Sequence, residues 1–312
     1  MFSCLRGIWP QWISTAAFVF IGVFVVMFPA QALPVACCIP AIYCIYSRGT
    51  PAHKQVSILL LPVVLVVIPG FRYSGIMYGV CVLASMNMRR WVRQKMPGEA
   101  VFYPVCILSA AFGLGLVVLA VSQGVSAQDI IFRWVAKVMD EVEHLYAGVL
   151  SSGDMMDFKM AMPLIESRIV MLFPSIVVSS LAFILWANLL IVAGAQRGMN
   201  LTLWSGPQWL VYVFIVVGIF AVAFSGWLRS LGVNGVVIIA HVYFFQGLSI
   251  VAYYVHKRSW GRISRWIIYL LILSQIYLMI FVSALGLFDV WFDFRKRIQG
   301  KKGDKEDEDS ID

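Results

Sequence analysis

The feature that most constrains the fold of this sequence is a series of long apolar runs without charged residues. Several of them reach the length of about 20 residues that an α-helix needs to cross the hydrocarbon core of a bilayer. The chain of 312 residues is 61% hydrophobic and 13% charged, whereas a soluble domain has about 25% charged residues. Since a soluble fold cannot bury so much apolar surface, the sequence predicts an all-α, polytopic transmembrane helical bundle with the lipid bilayer as its partner.

The N-terminal runs are predicted to be short, broken helices. As one helix, residues 13–46 would be about 50 Å long, against a hydrocarbon core of about 30 Å. Pro29 and Pro34 supply the break, because proline lacks a backbone donor and restricts the residue before it. About nine apolar runs, and hence about eight or nine membrane segments, are predicted. The runs are 13–29, 33–46, 56–69, 73–88, 101–122, 169–193, 209–224, 234–255 and 266–288.

Residues 123–168 form the longest polar segment of the chain and are predicted to be an amphipathic helical insertion on the extracytoplasmic side. Ser126 and Asp129 have the spacing of a capping box at the start of a helix. The residues that follow repeat apolar side chains at helical spacing, which is typical of a helix with one buried face. A second short helix, around 155–168, is predicted to lead into the next membrane run.

Apart from that insertion, residues 1–300 are predicted to form a single integral membrane domain, and the charged tail 301–312 is predicted to be disordered. The net charge is +8, but the basic residues cluster beside apolar runs, as the positive-inside rule expects. The strongest cluster, Arg89 to Lys95, fits contacts with anionic lipid headgroups rather than a nucleic-acid surface. Basic clusters flank both ends of run 266–288, so either one cluster violates the rule or one run does not cross.

Polar side chains on the last two runs are the candidate functional residues. On a helical wheel, Asn234 and His241 share one narrow stripe with Gln246 to its side, and Gln275 and Asp289 share a stripe on the next run. Polar groups at membrane depth are costly and normally face protein or a water-filled cavity. The side chains predicted to point inward and line a ligand pocket are Asn188, Asn234, His241, Gln246 and Asp289.

Each of these side chains also has a purely structural interpretation. His241 could relay protons or simply bond a neighbouring helix, and Gln246 could bridge two helices. Asp289 and Asp293 could hold a cation, or they could form a salt-bridged helix end with 295–297. The sequence contains neither H-E-x-x-H, G-x-S-x-G nor a glycine-rich phosphate loop. The six cysteines contain no C-x-x-C pair. No catalytic residue, metal site or cofactor is therefore expected, and the protein is predicted not to be an enzyme.

Several segments carry a resemblance to a known family, most densely after residue 170. They are Leu172-Phe173-Pro174-Ser175, Trp186-Ala187-Asn188-Leu189-Leu190, Arg197-Gly198, Trp209, Gly232, Asn234, Tyr243-Phe244-Phe245-Gln246-Gly247 and the closing stretch Gly286 to Arg295. Over roughly residues 10–298, the chain resembles the YybS-like predicted membrane proteins, a bacterial family of unknown function. That family is distantly similar to the substrate-binding S components of energy-coupling-factor vitamin transporters and to the rod-shape protein MreD.

The resemblance implies a helical protein of the bacterial cytoplasmic (inner) membrane and leads to two hypotheses. The first is a protein that binds or transports a small molecule in an S-component-like bundle. The A-x-x-x-A motif by which S components dock their coupling subunit is missing at Ala16 and Ala17, although Ala32 and Ala36 have its spacing. The second hypothesis is a non-transporting envelope scaffold, similar to MreD, that binds other membrane proteins. A ligand cavity lined by the polar side chains would favour the first, and direct packing of those side chains the second.

Overall fold

The computed structural model describes residues 23–24, 36–47, 67–68, 70, 72–147, 151–195, 201–258 and 260–294. Within these ranges the chain is helical and has no strand, so the all-α prediction is confirmed. The predicted runs 13–29 and 56–69, and the tail 301–312, lie almost entirely outside the described residues. The chain divides after Arg197 into two compact units, which are described one at a time.

The first unit is built on α3 and α5, its two candidate membrane spans. Helix α1 packs against α2 and α5, α2 packs against α3, and both α3 and α4 pack against α5. The mostly short connections between helices place consecutive helices side by side. The helices are α1 (Ile39–Tyr46), α2 (Arg72–Arg93), α3 (Pro97–Gln123), α4 (Ala127–Tyr146) and α5 (Ser152–Ala195).

Helix α4 is the predicted amphipathic helix, and its start confirms the predicted capping box. The backbone N–H of Asp129 donates to Ser126 Oγ at 3.1 Å, and the N–H of Ser126 donates to the Asp129 carboxylate at 3.2 Å. The hydrogen bonds from Ser126 lower the pKa of the Asp129 carboxyl group. Ile130, Val135 and Met139 form the buried face of α4. Helix α4 packs against α5 and α3, so it covers one side of the first unit.

Helix α5 is longer than the sequence predicts. A short helix at 155–168 and a separate run at 169–193 are expected, but the structure joins them into one helix of 44 residues. Such a helix is about 66 Å long, twice the hydrocarbon core of about 30 Å. Pro163 and Pro174 lie inside it. Each proline removes only one backbone hydrogen bond, and the helix continues past both.

The second unit is organised around α7, the longest helix of this unit. Helix α6, helix α9 and the short 3₁₀ turn all pack against α7. Its elements are the 3₁₀ turn (Leu201–Leu203), α6 (Leu210–Ala223), α7 (Gly226–Lys257), α8 (Arg262–Ser274) and α9 (Ile276–Phe292).

The last apolar run, predicted as one helix over 266–288, is broken at Gln275. The backbone of Gln275 is extended, with φ of −119° and ψ of 114°, and α8 and α9 meet there at a bend of 103°. Because of this break, Gln275 does not continue the polar stripe that carries Asp289. By length and composition, α3, α5 and α7 can each cross a membrane, and the bent pair α8–α9 can add a fourth span among the described residues.

Candidate functional site

The centre of the second unit is a buried hydrogen bond between α7 and α9. Gln246 on α7 is 2% exposed and Asp289 on α9 is 6% exposed. The Nε2 atom of Gln246 donates to Asp289 Oδ2 at 3.1 Å. Both side chains therefore lie inside the second unit. We call this pair the Gln246–Asp289 bridge.

Both ends of the bridge are closed by backbone N–H groups, which fix its direction. The N–H of Gly206 donates to Gln246 Oε1 at 3.0 Å, and the N–H of Phe294 donates to Asp289 Oδ1 at 2.9 Å. A backbone N–H can only donate. The amide of Gln246 must therefore turn its oxygen to Gly206 and its nitrogen to Asp289, and both oxygens of Asp289 must accept.

Ser249, one turn after Gln246 on α7, extends the same polar cluster. Its buried hydroxyl lies 2.8 Å from the carbonyl oxygen of Trp204 and 2.7 Å from that of Gln246. Trp204 and Gly206 lie in the non-helical segment between the 3₁₀ turn and α6. Side chains of α7 therefore satisfy a carbonyl and an N–H group of this segment.

Gln246 lies inside α7, away from both ends of the helix. At about 1.5 Å per residue, Gln246 lies roughly 16 Å along α7 from Lys257 and roughly 26 Å from Arg229. Backbone that is not helical has no internal hydrogen bonds, and at membrane depth it has no water to replace them. The segment at Gly206 and the end of α9 are both non-helical where they lie against α7. The bridge supplies an acceptor to each.

Glycines bring the helices close enough for this bridge to form. A Cβ atom on Gly286 would overlap the carbonyl oxygen of Tyr243, and one on Gly247 would overlap the carbonyl oxygen of Val282. Helix α6 approaches α7 in the same way, because a Cβ atom on Gly232 would overlap the backbone of α6. Small residues at such crossings let helix backbones approach closely. The α7–α9 crossing lies within one turn of the bridge on both helices.

Asn234 and His241, the other two candidates on α7, bond to their own helix. Asn234 is buried, and its Nδ2 atom donates to the carbonyl of Ser230 at 2.8 Å. His241 is half-buried, and its Nδ1 atom lies 2.9 Å from the carbonyl oxygen of Val237. The structure thus brings together Gln246 and Asp289, and it gives Asn234 and His241 local backbone partners.

Asn188 belongs to the first unit, where it holds the start of α1. Its Oδ1 atom accepts from the N–H of Ala41 at 3.1 Å, and its Nδ2 atom donates to the carbonyl of Cys37 at 2.7 Å. The first N–H groups of a helix have no partner within the helix, so Asn188 caps α1 from a neighbouring helix. At the other end of α1, Arg89 Nη2 donates to the carbonyl of Ser47 at 2.6 Å.

We expect the substitution Asn188→Leu to loosen α1 from α5. It leaves the buried N–H of Ala41 without its acceptor, at a cost of about 1–3 kcal/mol. Cys44 on α1 is 3% exposed and can report the change. In a variant whose only cysteine is Cys44, maleimide labelling should be slow, and Asn188→Leu should accelerate it. Ser122→Ala is the control, because Ser122 is exposed and bonds only to its own helix. Equal labelling rates in both variants would contradict the capping role.

Sequence reasoning missed the parts of this site that are far apart in the chain. Gly206 is separated from Gln246 by 40 residues, and no motif marks it as a partner. Gly247 and Gly286 carry a detectable signal, since glycines in apolar helices favour close helix contacts. Among the described residues, no group of three or more His, Cys, Asp or Glu side chains is arranged to hold a metal ion.

A family model matches most of the chain. No curated protein and no solved structure is significantly similar to this chain. The family model described as "Predicted membrane protein (DUF2232)" matches residues 15–290. This range covers most of both units and contains Gln246 and Asp289. The chain therefore belongs to the DUF2232 family of predicted membrane proteins.

Proposed function

We propose that this protein is a non-transporting scaffold of the bacterial inner membrane, which binds another integral membrane protein and is not an enzyme. In this proposal it crosses the membrane with the eight or so segments that its apolar runs predict. The proposal rests on one observation, namely which groups the buried polar side chains bond to. Gln246 and Asp289 bond to each other and to backbone N–H groups, which is what a rigid helical frame requires.

The resemblance to YybS-like proteins, and through them to MreD, agrees with this proposal. The same resemblance also extends to the S components of vitamin transporters, which would use a ligand pocket. Asn188, Asn234, His241, Gln246 and Asp289 would then have to turn polar atoms toward a ligand. Each of them has a hydrogen-bond partner within the protein. This argues for the scaffold over the pocket.

Helix α3 is the surface on which we place the partner. Only 11% of its membrane-length window is buried within the protein, against 50% for α7. A Cβ atom on Gly115 would meet nothing within 4 Å, and Ala111 lies one turn before it. Lipid chains pack as well against leucine as against glycine, whereas a second helix gains close contact from small residues. An apolar transmembrane helix of another protein therefore fits this surface better than lipid does.

A photoreactive amino acid at position 115 tests the proposal in native membranes. We expect a crosslink from position 115 to one discrete integral membrane protein. Position 218 on α6 is the matched control, because Gly218 also has open space within 4 Å, and it should crosslink to lipid. Ala111→Leu should abolish the protein crosslink from position 115. Val117→Leu, at an exposed position on another face of α3, should not.

Two results would contradict the scaffold proposal. If both positions crosslink only to lipid, or if Ala111→Leu does not change the protein crosslink, the proposal that α3 binds another membrane protein is wrong. Native mass spectrometry of the purified protein then tests the alternative. A retained small molecule that is lost in His241→Ala would favour the ligand pocket, because that substitution leaves the Gln246–Asp289 bridge intact.

A further inference from the structure

A cleft with a volume of about 300 Å³ lies along the last turns of α2. The described residues that line it are three or four positions apart, so they share one face of the helix. Three of the five carry a positive charge and none is acidic. The lining residues are Met86, Arg89, Arg90, Arg93 and Gln94.

Two of the three arginines are held in place by neighbouring groups. Arg89 donates to the carbonyl of Ser47. The guanidinium of Arg90 lies 5.6 Å from the ring centroid of Trp91. Trp91 in turn stacks on Tyr103 of α3, with a centroid distance of 4.9 Å and an interplanar angle of 7°. Cation–π contact and ring stacking restrict these side chains. A ligand that binds here therefore loses less side-chain entropy than at a mobile basic patch.

The position and chemistry of the cleft indicate an anionic ligand. Tryptophan and tyrosine concentrate at the level of the lipid headgroups, so the stack of Trp91 and Tyr103 suits the membrane surface. Arginine is preferred where phosphate is recognised, because its planar fork can donate two parallel hydrogen bonds. Neither Arg90 nor Arg93 forms an ion pair with a carboxylate in the described part of the chain.

We propose that this cleft is a binding site for a phosphate group, with Arg90 and Arg93 as its ligands and Arg89 as a fixed neighbouring charge. The cleft is open on one side, so it admits a phosphate with a short substituent such as glycerol. The phosphate can belong to an anionic lipid headgroup or to a soluble phosphate ester. Both present the same oxygens to the arginines.

A purely structural role for these arginines makes a different prediction. Basic residues in the last turn of a helix interact favourably with its C-terminal carbonyl groups. In that case the double substitution Arg90→Gln and Arg93→Gln would lower stability without changing ligand binding. Arg89 is left unchanged in every variant, because its bond to Ser47 supports α1.

The test uses the full chain in phosphatidylcholine nanodiscs, with phosphatidylglycerol as the lipid probe and glycerol 3-phosphate as the soluble probe. Affinities are measured by native mass spectrometry and titration calorimetry. We expect R90Q/R93Q to weaken binding of at least one probe tenfold or more. The matched control is K257Q/R258Q, which removes two charges from the end of α7, where Arg258 also lies over an aromatic ring, that of Tyr254. It should weaken binding less than threefold.

The two probes identify the source of the phosphate. Binding of phosphatidylglycerol alone supports a lipid site, and binding of glycerol 3-phosphate with the same dependence on arginine supports a soluble ligand. Equal losses in R90Q/R93Q and K257Q/R258Q would overturn the proposal, because they indicate general attraction to charge. The absence of binding by both probes would also overturn it. If the double variant does not fold, the single substitution Arg93→Gln, at an exposed position, provides the same comparison.

Discussion

The substitution Asp289→Asn should destabilise the second unit by about 2 kcal/mol, and adding Gln246→Glu should restore most of that loss. In the native protein the bridge runs between two backbone donors, Gly206 and Phe294. An asparagine at position 289 brings one extra N–H group between them. If the asparagine oxygen faces Phe294, the asparagine nitrogen faces the side-chain nitrogen of Gln246. If the amide of Gln246 turns over, the nitrogen of Gln246 faces the N–H group of Gly206. One pair of donors is opposed in either case.

The exchanged pair, Gln246→Glu with Asp289→Asn, removes this conflict. The new glutamate side chain accepts from Gly206 and from the nitrogen of the new asparagine, and the asparagine oxygen accepts from Phe294. The substitution Gln246→Glu alone should also destabilise the protein, because it sets two buried carboxyl groups against each other.

Unfolding of the purified protein in mixed micelles, titrated with a denaturing detergent, gives the free energy of each variant. A double-mutant cycle then isolates the coupling between the two positions. We expect a coupling energy of at least about 1 kcal/mol in favour of the exchanged pair. If the double variant is no more stable than Asp289→Asn, the fixed direction of the bridge is wrong.

The substitution Gly286→Ala should cost about 1–3 kcal/mol, although alanine is the better helix former. Its methyl group would overlap the carbonyl oxygen of Tyr243 and lie 2.7 Å from the nitrogen of Gly247. These are backbone atoms, so no side-chain rotation can make room. Helices α7 and α9 must move apart, and the bridge one turn away must lengthen.

Gly218→Ala on α6 is the matched control for that experiment. A Cβ atom at Gly218 meets nothing within 4 Å, so the substitution should be neutral or stabilise the protein by up to about 1 kcal/mol. The same unfolding titration measures both variants. Equal effects at Gly286 and Gly218 would show that the close crossing does not contribute to stability.

Most of the helices could be predicted from the sequence, because the signals that start and end them are local. The run predicted at 101–122 became α3, Pro97–Gln123, and the run at 209–224 became α6, Leu210–Ala223. The capping box at Ser126 was predicted from two residues three positions apart. In each case the residues that form the apolar run or the helix cap lie within the helix or directly before it. Membrane class follows in the same way, from apolar length and low charge.

The tertiary structure alone decided where helices break and what the polar side chains bond. Nothing in the sequence around Gln275 signals the bend of 103°, and α5 continues through Pro163 despite the ordinary effect of proline. The helical wheel places Gln246 beside the polar stripe of its helix, yet its partners, Gly206 and Asp289, lie 40 and 43 residues away in the sequence. The physical reason is that a helix satisfies its own backbone, whereas a buried amide needs a partner from elsewhere in the chain. Which partner it finds depends on how closely the glycines allow the helices to approach.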